Sequence, residues 1–183
     1  MYGIINKSIS ELISCNYGVE KWEKIKATCD IDIEFFIGNK KYDDDITFKL
    51  AGVMAEDLGV EVDHILGLFG EWWILQTAKK QYGNLLESGG DNFKSFLLNL
   101  PDFHNRVMVW YPKLTPPEFQ ISDLNGNSLC LHYFSKRRGL TSFVCGLISG
   151  LGKFFNTEVR IELIKTVPEK FTHEIIKITW KNQ

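Results

Sequence analysis

Tyr133, Ser135 and Arg137 occupy alternate positions in the stretch His132-Tyr133-Phe134-Ser135-Lys136-Arg137. Side chains of a β-strand alternate between its two faces, so in a strand these three project from one face in a row. Two hydroxyl donors beside a guanidinium fork make a receptor for carboxylates. Taken alone, a solvated sheet face with three polar residues by chance is the commoner explanation. Histidine is the other residue type able to do chemistry here, at 64, 104, 132 and 173. His132 alternates with Tyr133 and points away from that row. His173 lies in a polar stretch and His64 beside Asp63 near a helix start, so all three are expected at the surface. His104 differs, because Leu97, Leu100, Val107, Met108 and Tyr111 share its helical face, a largely apolar stripe. A lone histidine there is more often a satisfied core residue than a metal ligand, and spacing alone leaves the choice open.

The composition narrows the partners. A chain of 183 residues with 44% hydrophobic and 24% charged residues is one soluble domain able to bury a sizeable core. Thirteen Phe, six Tyr and five Trp are enough to line a pocket for a flat apolar ligand as well as to fill a core. The net charge is -2, and Lys136, Arg137 and Arg138 form the densest basic cluster, too small for a nucleic-acid footprint. Apolar stretches are broken well short of the ~20 residues that cross a bilayer, and no signal-peptide core opens the chain. A cytoplasmic location is expected. Cys15, Cys29, Cys130 and Cys145 are scattered without a CxxC pair, which predicts reduced, mostly buried thiols. Asp43, Asp44 and Asp45 could ligate a metal, but capping a helix start explains them at lower cost. No P-loop or zinc-protease motif is present.

The elements that must position these residues change character once. Helical periodicity opens with Ile4, Ile5, Ile9, Leu12 and Ile13 and continues over Val19 to Ala27, Ile46 to Leu58, Val62 to Lys80 and about Phe93 to Trp110. Tyr111-Pro112-Lys113-Leu114-Thr115-Pro116-Pro117 cannot be helical throughout and marks a boundary. Beyond it Phe119 to Ser122, the turn Asp123 to Asn127, and Ser128 to Arg137 read as a hairpin. Leu140 to Phe155 reads as a helix carrying Gly146, Gly150 and Gly152. Val159 to Lys165 and Phe171 to Trp180, joined through Pro168, complete an antiparallel sheet. The fold class is α+β in a single domain over 1–183, with a helical subdomain to about 111 and an α/β subdomain from about 118.

The Y-x-S-x-R pattern falls among further motifs: Met1-Tyr2-Gly3-Ile4-Ile5-Asn6-Lys7, Tyr42-Asp43-Asp44-Asp45, Phe69-Gly70-Glu71, Leu100-Pro101-Asp102-Phe103-His104, Pro116-Pro117 and the glycine-bearing helix. In order and spacing, across nearly the whole chain, these resemble the haem nitric oxide/oxygen-binding (H-NOX) family, which includes the haem domain of soluble guanylate cyclase. The resemblance implies that Tyr133, Ser135 and Arg137 bind the two haem propionates and that His104 is the proximal iron ligand, its second ring nitrogen needing an acceptor. Pro101 departs from a regular helix and is expected to affect the turn before His104. With no CxxCH motif in the chain, the haem b would be held non-covalently.

Oxygen on ferrous haem carries partial negative charge and is stabilised by a distal donor, whereas nitric oxide binds strongly without one. Oxygen-binding members of the family place a tyrosine on the glycine-bearing helix. Aligning on Gly146-Leu147-Ile148 puts Phe143 there. Phe143, Ile5 and Trp73, the last as apolar bulk, are implied to form the distal wall, with Pro117 flanking the haem. That favours nitric oxide, and carbon monoxide after it. The alternative is an oxygen sensor using Trp73 or Ser142 as donor.

The chain is expected to be no enzyme, since no distal His–Arg pair for peroxide cleavage is present and it ends soon after Trp180. The family mechanism implies that nitric oxide weakens the bond to His104, that its helix is released and the haem relaxes against Ile5 and Pro117, and that a hinge near Tyr111 to Pro117 rotates. A separate partner, in bacteria a histidine kinase or cyclic-dinucleotide enzyme, would read that change. Two other classes compete: a haem enzyme such as a peroxidase or nitric oxide dioxygenase, and a carrier whose Tyr133, Ser135 and Arg137 hold another flat apolar acid.

Overall fold

The structure is a computed structural model, described over residues 1–110, 114–168 and 172–181. Four helices open the chain: α1 (Gly3–Tyr17), α2 (Val19–Thr28), α3 (Asp44–Leu58) and α4 (Val62–Trp72). The aspartate run works as a helix start, because the Asp43 side chain accepts a hydrogen bond from the Asp45 amide at 3.1 Å. Gly59 ends α3 in the left-handed conformation at φ 66°.

The long helix expected from Val62 to Lys80 is interrupted. A π-helical segment, Trp73–Ala78, follows α4, and α5 (Lys79–Glu87) continues from it with a break at Tyr82. A π turn inserts an extra residue without disturbing the apolar period at either end, so periodicity alone does not reveal it. Helix α6 (Phe93–Trp110) runs on through Pro101. The expected boundary residues Tyr111, Pro112 and Lys113 lie outside the described residues.

The second half holds β1 (Glu118–Asn125), β2 (Ser128–Ser135), α7 (Thr141–Phe154), β3 (Val159–Pro168) and β4 (Thr172–Trp180). The strands form one antiparallel sheet in the order β1-β2-β4-β3. The α+β class is as expected, with two shifts of boundary in the hairpin. β1 extends past Ser122 to Asn125 through an irregular register, leaving Gly126 and Asn127 as the turn. β2 stops at Ser135, so Arg137 sits just beyond the strand. Phe171, expected to begin the last strand, lies outside the described residues.

Apolar side chains gather in two clusters. One joins α1 to α4 through residues such as Ile13, Leu50, Met54 and Phe69. The other joins α6 and α7 to the inner face of the sheet through Phe93, Leu97, Leu131, Ile148 and Ile176, and takes in Ile74, Ala78 and Leu86. Trp73 packs against both clusters. Helix α7 lies close along α4: a Cβ on Gly70 would fall on the backbone of Phe143 and one on Gly146 on the backbone of Gly67. Small residues at the crossing let the two backbones touch.

Candidate functional site

Between the two clusters lies a cavity of about 1230 Å³, and all eight residues singled out from the sequence line it: Ile5, Trp73, His104, Pro117, Tyr133, Ser135, Arg137 and Phe143. Ligand pockets commonly measure ~300–1,000 Å³, so there is room for a large flat ligand. The site is assembled from α1, the π segment, α6, the start of β1, β2 and α7.

His104 is carried inward by the apolar face of α6. Its ring stacks on Phe119 of β1 at 5.5 Å between centroids and 13° between planes, and neighbours Phe103. Burial lowers its pKa from 6.5 to about 4, so the imidazole is neutral at physiological pH. Its Nδ1 is buried without a hydrogen-bond partner, so no acceptor for that nitrogen is found among the described residues. A buried, neutral, uncommitted imidazole is a competent metal ligand. Among the described residues no group of three or more His, Cys, Asp or Glu side chains could hold a metal ion.

The carboxylate receptor forms the polar edge of the cavity. Tyr133 and Ser135 face inward from β2 and are buried, as strand alternation requires. Burial raises the Tyr133 pKa, with a hydrogen bond to Ser135 acting in the opposite direction. Ser135 Oγ accepts the Arg137 backbone N–H at 3.0 Å, which turns the chain and sets Arg137 at the mouth. The Arg137 side chain is engaged: its Nε donates to Asp44 at 2.6 Å and its Nη1 to the Thr115 carbonyl at 2.9 Å. Asp44 also binds the Met1 ammonium. Burial alone would raise the Asp44 pKa, but hydrogen bonds from Met1 and Arg137 outweigh it and hold the carboxyl below its usual value.

Sequence reasoning assigned Asp44 only to capping. Its pairing with Arg137 joins residues 93 positions apart, and no local signal carries such a contact. Leu147 and Ile74, which also line the cavity, were legible in principle: Leu147 follows Phe143 by one helical turn.

Across the cavity Phe143 stacks on Phe69 at 5.0 Å, and Phe69 meets Trp73 edge-on at 6.5 Å. Ser142, the alternative donor, lines a separate groove between α4 and α7 with His64 and Cys145. It is not among the residues that line the cavity with Phe143. His132 and His173 pair on the opposite sheet face, with Nδ1 of the first and Nε2 of the second 3.2 Å apart. Both are half-buried where an exposed position was expected. Of the four free cysteines, Cys29 and Cys130 are buried, Cys145 is partly covered and Cys15 is exposed, so the expectation of mostly buried thiols holds for two. None of the described helices is long and apolar enough to cross a membrane.

Comparison with known proteins bears directly on this geometry. The chain is 30% identical over 184 residues to soluble guanylate cyclase gcy-31 of Caenorhabditis elegans, covering 100% of this chain and 26% of that one. Against gcy-37 of the same organism it is 31% identical over 175 residues, covering 93% and 25%. The chain thus spans about a quarter of the length of the curated relatives it matches. Among solved structures, a mutant H-NOX protein from S. oneidensis in the Fe(II) ligation state superposes with a TM-score of 0.89 at 20% identity, over 100% of this chain and 97% of that one. A point mutant of T. tengcongensis H-NOX gives 0.85 at 22%, over 100% and 98%. At such identities these neighbours establish the fold. A family model described as haem-NO-binding matches residues 2–163, and with that match over most of its length the chain belongs to the haem-NO-binding, or H-NOX, family.

Proposed function

We propose that this domain is a haem-based gas sensor, which binds haem b non-covalently, responds to nitric oxide, and signals by conformation to a separate protein. The observation that carries the proposal is the convergence of all eight predicted residues on one cavity, with a neutral imidazole on its wall and a carboxylate receptor at its edge. The residues fit the group. His104 would hold the iron; Tyr133, Ser135 and Arg137 would hold the propionates; Ile5, Trp73, Pro117 and Phe143 would flank the ring. When bound, haem supplies a ferrous iron with an open coordination position for a diatomic gas.

The chain's own residues supply selectivity and transmission. Phe143 and Ile5 bring no hydrogen-bond donor to the cavity and Trp73 serves there as apolar bulk, which favours nitric oxide and carbon monoxide over oxygen. His104 couples the cavity to the fold: its ring rests on Phe119, and its helix carries Phe93, Phe96 and Leu97 in the core shared with the sheet. Displacing the imidazole therefore moves α6 against β1. A partner that binds one arrangement more tightly reads the change as a population shift. A histidine kinase, a cyclic-dinucleotide enzyme or a cyclase module would suit this role. The domain itself acts as sensor and not catalyst, in the cytoplasm.

The test is the absorption spectrum of the protein purified with haem supplied, reduced without oxygen, then exposed separately to oxygen and nitric oxide. The expected result is a five-coordinate ferrous spectrum that shifts with nitric oxide and ignores oxygen. A stable oxygen complex would make this an oxygen sensor with Trp73 as donor. No haem spectrum would overturn the proposal and leave the carrier of another flat acid.

A further inference from the structure

The face of the sheet turned away from the cavity carries a second set of ligating side chains. His132 of β2 and His173 of β4 meet there diagonally, since His132 pairs with Ile175 and His173 with Phe134. His132 Nδ1 and His173 Nε2 are 3.2 Å apart, across 41 positions of sequence. The rings meet edge to edge, with centroids 5.5 Å apart and planes 28° apart. His173 is held further by stacking on Phe134, at 4.1 Å between centroids and 20° between planes. Both histidines are half-buried, so their rings are fixed by neighbours and still reached from solvent.

The hydrogen bonds around the pair dictate which nitrogen is free. Ser122 Oγ donates to Asp123 Oδ2 at 3.0 Å and lies 2.9 Å from His132 Nε2. A hydroxyl has one proton, and here the carboxylate takes it. The Ser122 oxygen therefore accepts from His132 Nε2–H, which leaves the Nδ1 lone pair directed at His173. An acceptor backed by a carboxylate on the outer nitrogen is what orients metal-binding histidines. Two imidazole nitrogens on one ion, each ~2.0–2.1 Å from it, lie ~2.9–3.4 Å apart at square-planar to tetrahedral angles. The observed separation of 3.2 Å falls in that interval. A small outward tilt of the rings brings both lone pairs onto one point. His173 keeps its proton by moving it from Nε2 to Nδ1, a change of tautomer that solvent carries out.

We propose that His132 and His173 form a two-imidazole site for a late first-row divalent cation, Cu2+ most tightly, with water completing the coordination shell. Imidazole nitrogen selects copper, nickel and zinc over magnesium and calcium, and Cu2+ heads the order of affinity. Since no group of three His, Cys, Asp or Glu side chains gathers among the described residues, the protein supplies two ligands, and the ion is exchangeable rather than structural. The site is independent of haem. It lies on the back of the strand pair whose inner face carries the buried Tyr133 and Glu174.

The test is a titration of the full chain with Cu2+, followed by electron paramagnetic resonance. The chain carries Cys15→Ser, which removes the exposed thiol as a competing ligand. The expected result is saturation at one ion per chain, with the nitrogen splitting of two imidazoles. Ser122→Ala should weaken binding about tenfold while keeping the two-nitrogen pattern. His132→Gln and His173→Gln should each weaken it further and leave a one-nitrogen pattern, and His64→Gln should change nothing. Urea unfolding without metal checks that each variant folds, and Ser122→Ala decides the matter if a histidine variant does not. Three results overturn the site: no saturable binding, a one-nitrogen pattern in the parent, or an affinity that neither His132→Gln nor His173→Gln changes. Displacement of Cu2+ by equal concentrations of Ca2+ or Mg2+ overturns the chemistry assigned to it.

Discussion

At the scale of the residue, His104 combines neutrality with burial. Its folded pKa is about 4, against 6.5 for a solvated histidine. The unfolded chain therefore gains a proton near pH 6.5 that the folded chain refuses until about pH 4. The stability owed to the neutral ring is intact above that window and is lost as pH falls through it, by roughly 3 kcal/mol at most. Urea unfolding of the haem-free protein from neutral to acid pH measures this, and His104→Gln should flatten that part of the slope. Arg137 offers a planar fork that lysine cannot mimic, so Arg137→Lys should speed haem loss about tenfold or more; stopped-flow transfer to apomyoglobin reads it. Phe143→Tyr adds a hydroxyl to the apolar side of the cavity, and the expected outcome is a stable oxygen complex in the absorption spectrum. His104, Arg137 and Phe143 were all legible in the sequence because each belongs to a motif of fixed spacing. The unpartnered Nδ1 and the Asp44 ion pair were not, since both depend on what distant segments bring alongside.

At the scale of the element, strand alternation and helical period predicted most of the layout, and failures came where backbone hydrogen bonding departs from a single period. The π segment at Trp73–Ala78 keeps apolar residues facing the core on both sides, so a continuous helix was the natural expectation. Helix α7 is the element that bridges the structure. Val144, Ile148 and Leu151 face the sheet's core, Phe143 packs with the helices, and Gly146 and Gly150 meet α4. Glu71 of α4 fastens the pair, accepting from Ser149 at 2.9 Å and from Lys153 at 2.5 Å. Gly146→Ala would drive a methyl group into the Gly67 backbone, which cannot rotate aside. A loss of about 3 kcal/mol is expected, seen as a fall in the urea midpoint. Gly52→Ala, where a Cβ meets nothing within 4 Å, is the control and should be neutral or slightly stabilising.

At the scale of the whole molecule, the cavity exists because two cores meet without merging. Trp73 packs on both, and α7 contributes to both. Trp73→Ala should cost about 2–4 kcal/mol and, by loosening the joint, lower the dependence of unfolding free energy on urea. A fall in midpoint with an unchanged slope would mean that the cores stay coupled through α7 alone. A ligand filling the space between them touches both, so binding is expected to stabilise the protein as a unit.

By itself the sequence determined the class of fold, the inward row of Tyr133 and Ser135, the apolar setting of His104, and through its motifs the family. These follow from properties local to a strand or a helix, where period and side-chain type are enough. Tertiary structure alone decided that Ser142 faces another groove, that Arg137 is held by Asp44, that α5 lines the cavity, and that Trp73 packs on both cores. Each of those depends on the rotation of one element against another, or on a contact between distant positions, and neither is encoded in the spacing along any one segment.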